Sequence, residues 1–96
     1  LFTNKRSYAL KVTGDSMIDA GICDGDWVIV EEGTKLYKSK VHVILIDNQD
    51  VTLKFIEKIN PKEIKLIPAN KRFKEIIYSV ERVSIQGHVV GQVRIY

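Results

Sequence analysis

Hydrophobic residues recur with a period of two along most of this chain, in short runs between turn-forming residues, which predicts strands rather than helices. Residues 8–12 read as a strand closing on Thr13-Gly14. Residues 27–30, Trp-Val-Ile-Val, form a short apolar strand between Asp26 and Glu31-Glu32-Gly33. Residues 41–46 form another. The polar run Asp47-Asn48-Gln49-Asp50 leads from it into residues 51–56, so the pair reads as a hairpin. Residues 64–67 follow Asn60-Pro61 and stop at Pro68. In the last stretch Val83, Ile85, Val89, Val93 and Ile95 share one parity, with Gly87 and Gly91 in the gaps. Ser84, Gln86, His88, Gln92 and Arg94 share the other. That predicts a half-buried strand pair or one long strand bent at its glycines. Only residues 16–20 suggest a turn of helix, stopped by Gly21. The expected class is mostly β: a strongly bent antiparallel sheet or partly closed barrel, in one domain over residues 1–96.

Composition narrows this picture. Ninety-six residues make one small domain. A chain this short buries roughly 60–65% of its unfolded surface, enough for a single core. One cysteine, Cys23, excludes an internal disulfide and fits a reducing cytoplasm. No apolar run approaches the ~20 residues that span a bilayer. The formal charge of +3 comes from 15 basic and 12 acidic residues spread along the chain. The densest basic group, Lys71-Arg72-Phe73-Lys74, reads as a solvated loop rather than a nucleic-acid patch. The chain opens on Leu1 and its only methionine is Met17. A piece of a longer protein is therefore expected, with a segment upstream that is not in this chain.

Two segments carry candidate chemistry. Gly14 frees the backbone at the end of a strand, and Ser16 stands just beyond it. Ser16 reads either as a helix N-cap, with Asp19 three residues on in the manner of a capping box, or as a nucleophile. In the second case the Ser16 and Met17 amides at the helix start are candidates for an oxyanion hole. The other segment is Val51-Thr52-Leu53-Lys54. Lys54 reads either as a lysine on the wet face of a hairpin or, because Ile56 shares its parity, as a partly buried amine. A general base must be neutral, and an ordinary lysine with a pKa of about 10.4 is neutral in only about one molecule in 2,500 at pH 7. Half neutrality at pH 7 requires roughly 4.6 kcal/mol of differential interaction, so a lysine base implies an apolar pocket and a reaction that quickens as pH rises.

Other chemistries have less support. No Asp or Glu spacing ties His42 or His88 to Ser16 as a triad. Cys23 reads as a small core residue. One cysteine and two histidines at distant positions offer no metal-ligand spacing, and there is no phosphate-binding glycine loop. Neither metal nor cofactor is expected.

Val12-Thr13-Gly14-Asp15-Ser16-Met17-Ile18-Asp19-Ala20-Gly21-Ile22, followed by Asp24-Gly25-Asp26, resembles the active-site segment of LexA-type self-cleaving repressors. UmuD-type mutagenesis proteins and prophage repressors share it. Val51-Thr52-Leu53-Lys54 resembles their lysine segment, Leu66-Ile67-Pro68-Ala69-Asn70 a later strand and turn, and Gly87-His88-Val89-Val90-Gly91 their final strand pair. Leu1-Phe2 resembles the start of the catalytic domain. The 38 residues between Ser16 and Lys54 are close to the family's spacing.

The resemblance implies Ser16 as nucleophile, Lys54 as general base and the Ser16 and Met17 amides as oxyanion donors, on a turn supported by Gly14, Asp15 and Gly21. It implies one cut in the protein's own linker at a small-residue bond, prompted by the RecA filament on single-stranded DNA. It also implies a homodimer formed through Val89, Gly91, Val93 and Ile95, where an exposed strand edge is expected, and DNA binding only through an N-terminal domain absent from this chain. The scissile bond of the family lies further upstream than the 15 residues before Ser16 allow. Ala20-Gly21 belongs to the active-site turn and is a poor candidate. Lys38-Ser39-Lys40 stands where the family often has a glycine turn. The alternatives are a UmuD-like polymerase subunit, a non-catalytic dimerisation module and, from its similar serine segment, a signal peptidase. The last usually carries a nearby proline, where Asp19-Ala20 stands here, and a membrane anchor.

Overall fold

The computed structural model describes residues 6–96, so Leu1-Phe2 lies outside the described residues. Seven strands run in the order β1 Ser7–Lys11, β2 Trp27–Glu32, β3 His42–Ile46, β4 Asp50–Asn60, β5 Glu63–Ile67, β6 Ile76–Ser79 and β7 Val83–Val93. Every pairing is antiparallel, in the spatial order β1-β2-β7-β3-β4-β5-β6. Among the described residues β1 and β6 do not meet. The sheet is strongly curved but open rather than a closed barrel.

The expected hairpin is β3–β4. Asp47 and Asn48 take φ of 53° and 56°, and Gln49 N–H bonds the Ile46 carbonyl at 3.0 Å. Two successive left-handed residues open this three-residue loop, and their backbone twist matches the right-handed twist of the flanking strands. The strand beyond runs to Asn60, four residues past the expected end, because Ile56 to Lys58 pair with β5 after β3 has stopped.

That long β4 belongs to both halves of the sheet and divides the core by side-chain parity. Leu53 faces a cluster with Val12, Met17, Ile22, Val28, Val30 and Val43. Ile56 faces a second cluster with Ile44, Ile64 and Leu66. Strand β7 is one bent strand, but its parity is not constant. Val43 pairs with Gly87 and Ile44 with Ile85, so Gln86 is an extra residue. Val30 pairs with Val89 and Ile29 with Gly91, so Val90 is another. Each bulge flips the residues that follow it to the other face. Ile85 therefore packs with the second cluster and Val89 with the first, although their numbering puts them on one face. Gly87 is the point of closest approach. A Cβ there would meet the Glu31 carbonyl oxygen at 2.5 Å.

Lys38-Ser39-Lys40 makes its turn without glycine. Ser39 takes φ of 67°, and His42 braces the loop from inside the sheet. The Tyr37 N–H donates to His42 Nε2 at 3.0 Å, so the ring proton sits on Nδ1 and is donated to the Lys40 carbonyl at 2.8 Å. His42 is fully buried, and desolvation pushes its pKa below the usual value.

Candidate active site

Ser16 stands on the connection between β1 and β2. Gly14, with φ of 84°, turns the chain after β1, and its N–H donates to Asp24 Oδ1 at 2.7 Å. A single 3₁₀ turn, Ile18–Ala20, follows, and Gly21 closes it in the left-handed conformation with φ of 82°. The residue capping this turn is Met17, with no side-chain cap bond, so Ser16 does not serve as an N-cap. Its hydroxyl is left for other partners.

The turn is held from outside by the segment after β5. Ala69 N–H donates to the Ser16 carbonyl at 2.8 Å, and Asp19 N–H to the Ala69 carbonyl at 2.7 Å. Asn70 Nδ2 donates to the Asp15 carbonyl at 2.9 Å. Met17, 2% exposed, plugs into the first core cluster and fixes the turn from below. Among the described residues, no backbone carbonyl engages the Ser16 or Met17 N–H.

Lys54 arrives from β4, on the face it shares with Thr52 and Ile56. Its Nζ lies 3.2 Å from Ser16 Oγ and 2.6 Å from Thr52 Oγ1. Half-buried there, the amine has its pKa lowered by desolvation. No charged partner contributes to that shift. The structure thus brings together the two side chains that the sequence placed 38 residues apart.

The dyad lies where two cavities adjoin. One, about 120 Å³, is lined by Leu10, Thr13, Gly14, Ser16 and Val51. The other, about 290 Å³, is lined by Ile46, Lys54, Leu66, Phe73, Ile76 and Tyr78. Thr52 lines both. An extended backbone laid across the dyad therefore has a recess of mixed polarity on the Ser16 side and a mainly apolar one on the Lys54 side.

The remaining expected residues fall into place differently. Val89 is half-buried against the core, and its N–H bonds the Val41 carbonyl at 2.8 Å. The free edge of β7 accordingly begins at Val90. Beyond it β2 pairs on one side, through Val93 with Trp27, and no described strand pairs on the other. Gly91 and Val93 lie on the face opposite to Val89, and Ile95 is 74% exposed past the strand's end. Cys23 is half-buried instead of sitting in the core. His42 and His88 pair in register with each other on β3 and β7, and neither is hydrogen-bonded to Ser16. Residues 71–74 form the expected exposed loop. Among the described residues no group of His, Cys, Asp and Glu is placed to hold a metal ion, and no helix is long and apolar enough to cross a membrane.

Thr52, Ala69 and Asn70 were not singled out as site residues from the sequence. A threonine on a strand is ordinary, and only its position two residues before Lys54 put it on the same face. Ala69 and Asn70 carry no signal of their own beyond the resemblance of Leu66-Ile67-Pro68-Ala69-Asn70 to the family's strand and turn.

The Peptidase S24-like family model matches residues 1–90. The LexA repressor of Zymomonas mobilis subsp. mobilis is 44% identical over 89 residues, which are 93% of this chain and 41% of that protein. That of Gluconacetobacter diazotrophicus is 48% identical over 93% of this chain and 35% of its own length. That of Petrotoga mobilis is 39% identical over 96% and 45%. The chain thus spans about two-fifths of the length of the curated relatives it matches. With its serine turn, its lysine strand and nearly all of its curved antiparallel sheet inside the matched span, this chain belongs to the Peptidase S24-like family.

Proposed function

We propose that this chain is the self-cleaving and dimerising domain of a cytoplasmic LexA-like repressor, in which Ser16 and Lys54 form a serine–lysine peptidase. The carrying observation is the 3.2 Å separation of Lys54 Nζ from Ser16 Oγ, with the amine desolvated and, among the described residues, no acid paired with it. A neutral amine has a lone pair to accept the Ser16 proton while one of its own N–H groups donates to Thr52 Oγ1. Ser16 Oγ then attacks the carbonyl carbon of the linker peptide bond. The Ser16 and Met17 N–H groups receive the developing oxyanion. As the C–N bond breaks, the Lys54 ammonium returns its proton to the leaving amine. Water, deprotonated by the same amine, releases the acyl group from Ser16.

The substrate is the protein's own linker, upstream of this domain, and the RecA filament on single-stranded DNA acts as stimulus. DNA is held by a separate head, and the free β7 edge from Val90 onward, including Gly91, Val93 and Ile95, pairs two copies. The test is self-cleavage of the full-length protein as pH is raised. One cut that quickens with pH is expected, abolished by Ser16→Ala and by Lys54→Ala. Cutting at the parental rate in either variant overturns the assignment. An intact dimer that never cuts would point to a pairing module without catalysis.

A further inference from the structure

We infer that Gln92, at the C-terminal end of β7, and Arg94, just beyond it, are positioning residues for the nucleophile, holding the Gly21 carbonyl so that the Ser16–Met17 turn stays in reach of Lys54. This rests on the serine–lysine reading above and gives a catalytic consequence to two side chains that the reading leaves without a role.

The arrangement begins with Asp26. This residue is only 2% exposed, yet it has no lack of donors. Arg94 Nε donates to Oδ1 at 2.7 Å and Arg94 Nη2 to Oδ2 at 2.8 Å. Gln92 Nε2 and the Cys23 N–H each donate to Oδ2 at 2.8 Å. An anion so surrounded remains charged, and the Arg94 guanidinium holds its pKa far below the usual carboxylate range. Asp26 therefore fixes the direction of both side chains.

Their spare donors converge on one atom. Gln92 Nε2 reaches the Gly21 carbonyl at 2.7 Å, and Arg94 Nη2 reaches it at 3.2 Å. Gly21 is the left-handed residue that ends the turn after the nucleophile. Its N–H bonds the Ile18 carbonyl at 2.9 Å, and the Ala20 and Ile22 N–H groups bond the Met17 carbonyl at 3.0 and 3.3 Å. Displacing Gly21 therefore pulls on Met17, whose amide is one of the two oxyanion donors. Residues 69 and 70 anchor the turn on its other flank. Gly21 is exposed and has no side chain to pack, so its place is set by hydrogen bonds. Among the described residues, the side chains of Gln92 and Arg94 are the ones that bond its carbonyl.

The two bulges explain why β7 can do this. After the extra residue at Val90, Gln92 pairs opposite Val28, so the side chains of the strand's end fall toward Asp26 on the first-cluster face.

The experiment follows self-cleavage of the full-length protein between pH 6 and 10.5, with thermal unfolding in parallel. The double variant D26N/R94M removes the ion pair without stranding a buried charge. Its plateau rate is expected to fall at least tenfold, with the midpoint of the pH profile where the parent has it, because the Lys54 pocket is untouched. A plateau within twofold of the parent overturns the inference. So does a midpoint moved up toward an ordinary lysine value, which would mean that the change had opened the Lys54 pocket. If the double variant has no cooperative transition, Q92L decides, since it leaves the Asp26–Arg94 pair in place. Its plateau is expected to fall three- to tenfold, and a parental plateau overturns the inference. Residual cutting in Ser16→Ala would instead remove the serine–lysine reading itself.

Discussion

Lys54 donates a 2.6 Å hydrogen bond to Thr52, two residues earlier on its own strand, and this contact is shorter than its 3.2 Å approach to Ser16. Thr52 thus aims the amine. It also favours the charged form, since an oxygen acceptor binds an ammonium more strongly than an amine. Thr52→Val is expected to lower the plateau rate of self-cleavage about three- to tenfold, the worth of a ~1 kcal/mol hydrogen bond. The pH midpoint should move down, not up. A rate profile measured across pH 6 to 10.5 reads both effects at once.

Burial of Lys54 has a consequence for stability. Its folded pKa is depressed by desolvation, so between that value and about 10.4 the unfolded chain binds more protons than the folded one. Stability therefore rises with pH across this window, and below it the full cost of the buried amine is present. Lys54→Met is expected to raise the thermal midpoint at pH 7, with the gain shrinking toward pH 10. An equal gain at both pH values would contradict a desolvated amine.

His42 gives the acid counterpart. Its pKa lies below 6.5 through burial, partly offset by its bond to the Lys40 carbonyl and reinforced by neighbouring His88. As pH falls below about 6.5 the unfolded histidine takes up its proton first, and stability is lost. Protonation also destroys the acceptor for the Tyr37 N–H. His42→Gln should be less stable at pH 7.5 but lose less between pH 7.5 and 5, as measured by urea titration at each pH.

Gly87 tolerates no added carbon. A Cβ there would meet the Glu31 carbonyl oxygen at 2.5 Å and Val30 Cγ1 at 2.7 Å. Gly87→Ala is expected to destabilise by about 1–3 kcal/mol, because the obstacle is backbone and core, not a flexible side chain. Gly91→Ala is the control, since its Cβ would meet only Ile29 atoms at 3.6 Å.

The free edge of β7 is open to a direct assay. Val93 is 47% exposed on the face away from the core, and pairing about a two-fold axis brings equivalent residues of two copies close together. Val93→Glu is expected to weaken self-association at least tenfold in sedimentation experiments, with an unchanged circular dichroism spectrum.

Local chemistry was legible where neighbours in sequence are neighbours in space. Asp47-Asn48 gave away the hairpin and Gly21 the end of the 3₁₀ turn, because each needs a left-handed backbone where it stands. The β6 strand was not legible. Ile76 and Ile77 are each about half exposed on the sheet's outer edge, so no alternation marks them. Nor were the bulges at Gln86 and Val90, since an extra residue leaves the parity count intact and changes only its meaning. Ser16 and Lys54 were readable as a pair only through a resemblance, as each alone has an ordinary structural explanation. Asp26 and Arg94 are 68 residues apart, and neither predicts the other.

The proposed nucleophile and base lean on different apolar clusters. Ser16 rides on the turn that Met17 seats in one apolar cluster, whereas Lys54 shares its strand face with Ile56 of the other. A small shift of one cluster against the other is therefore enough to lengthen the 3.2 Å contact between Ser16 and Lys54, and warming is expected to produce such a shift before either cluster melts. Thermal inactivation should accordingly precede melting, leaving a temperature interval in which the domain is folded and chemically silent.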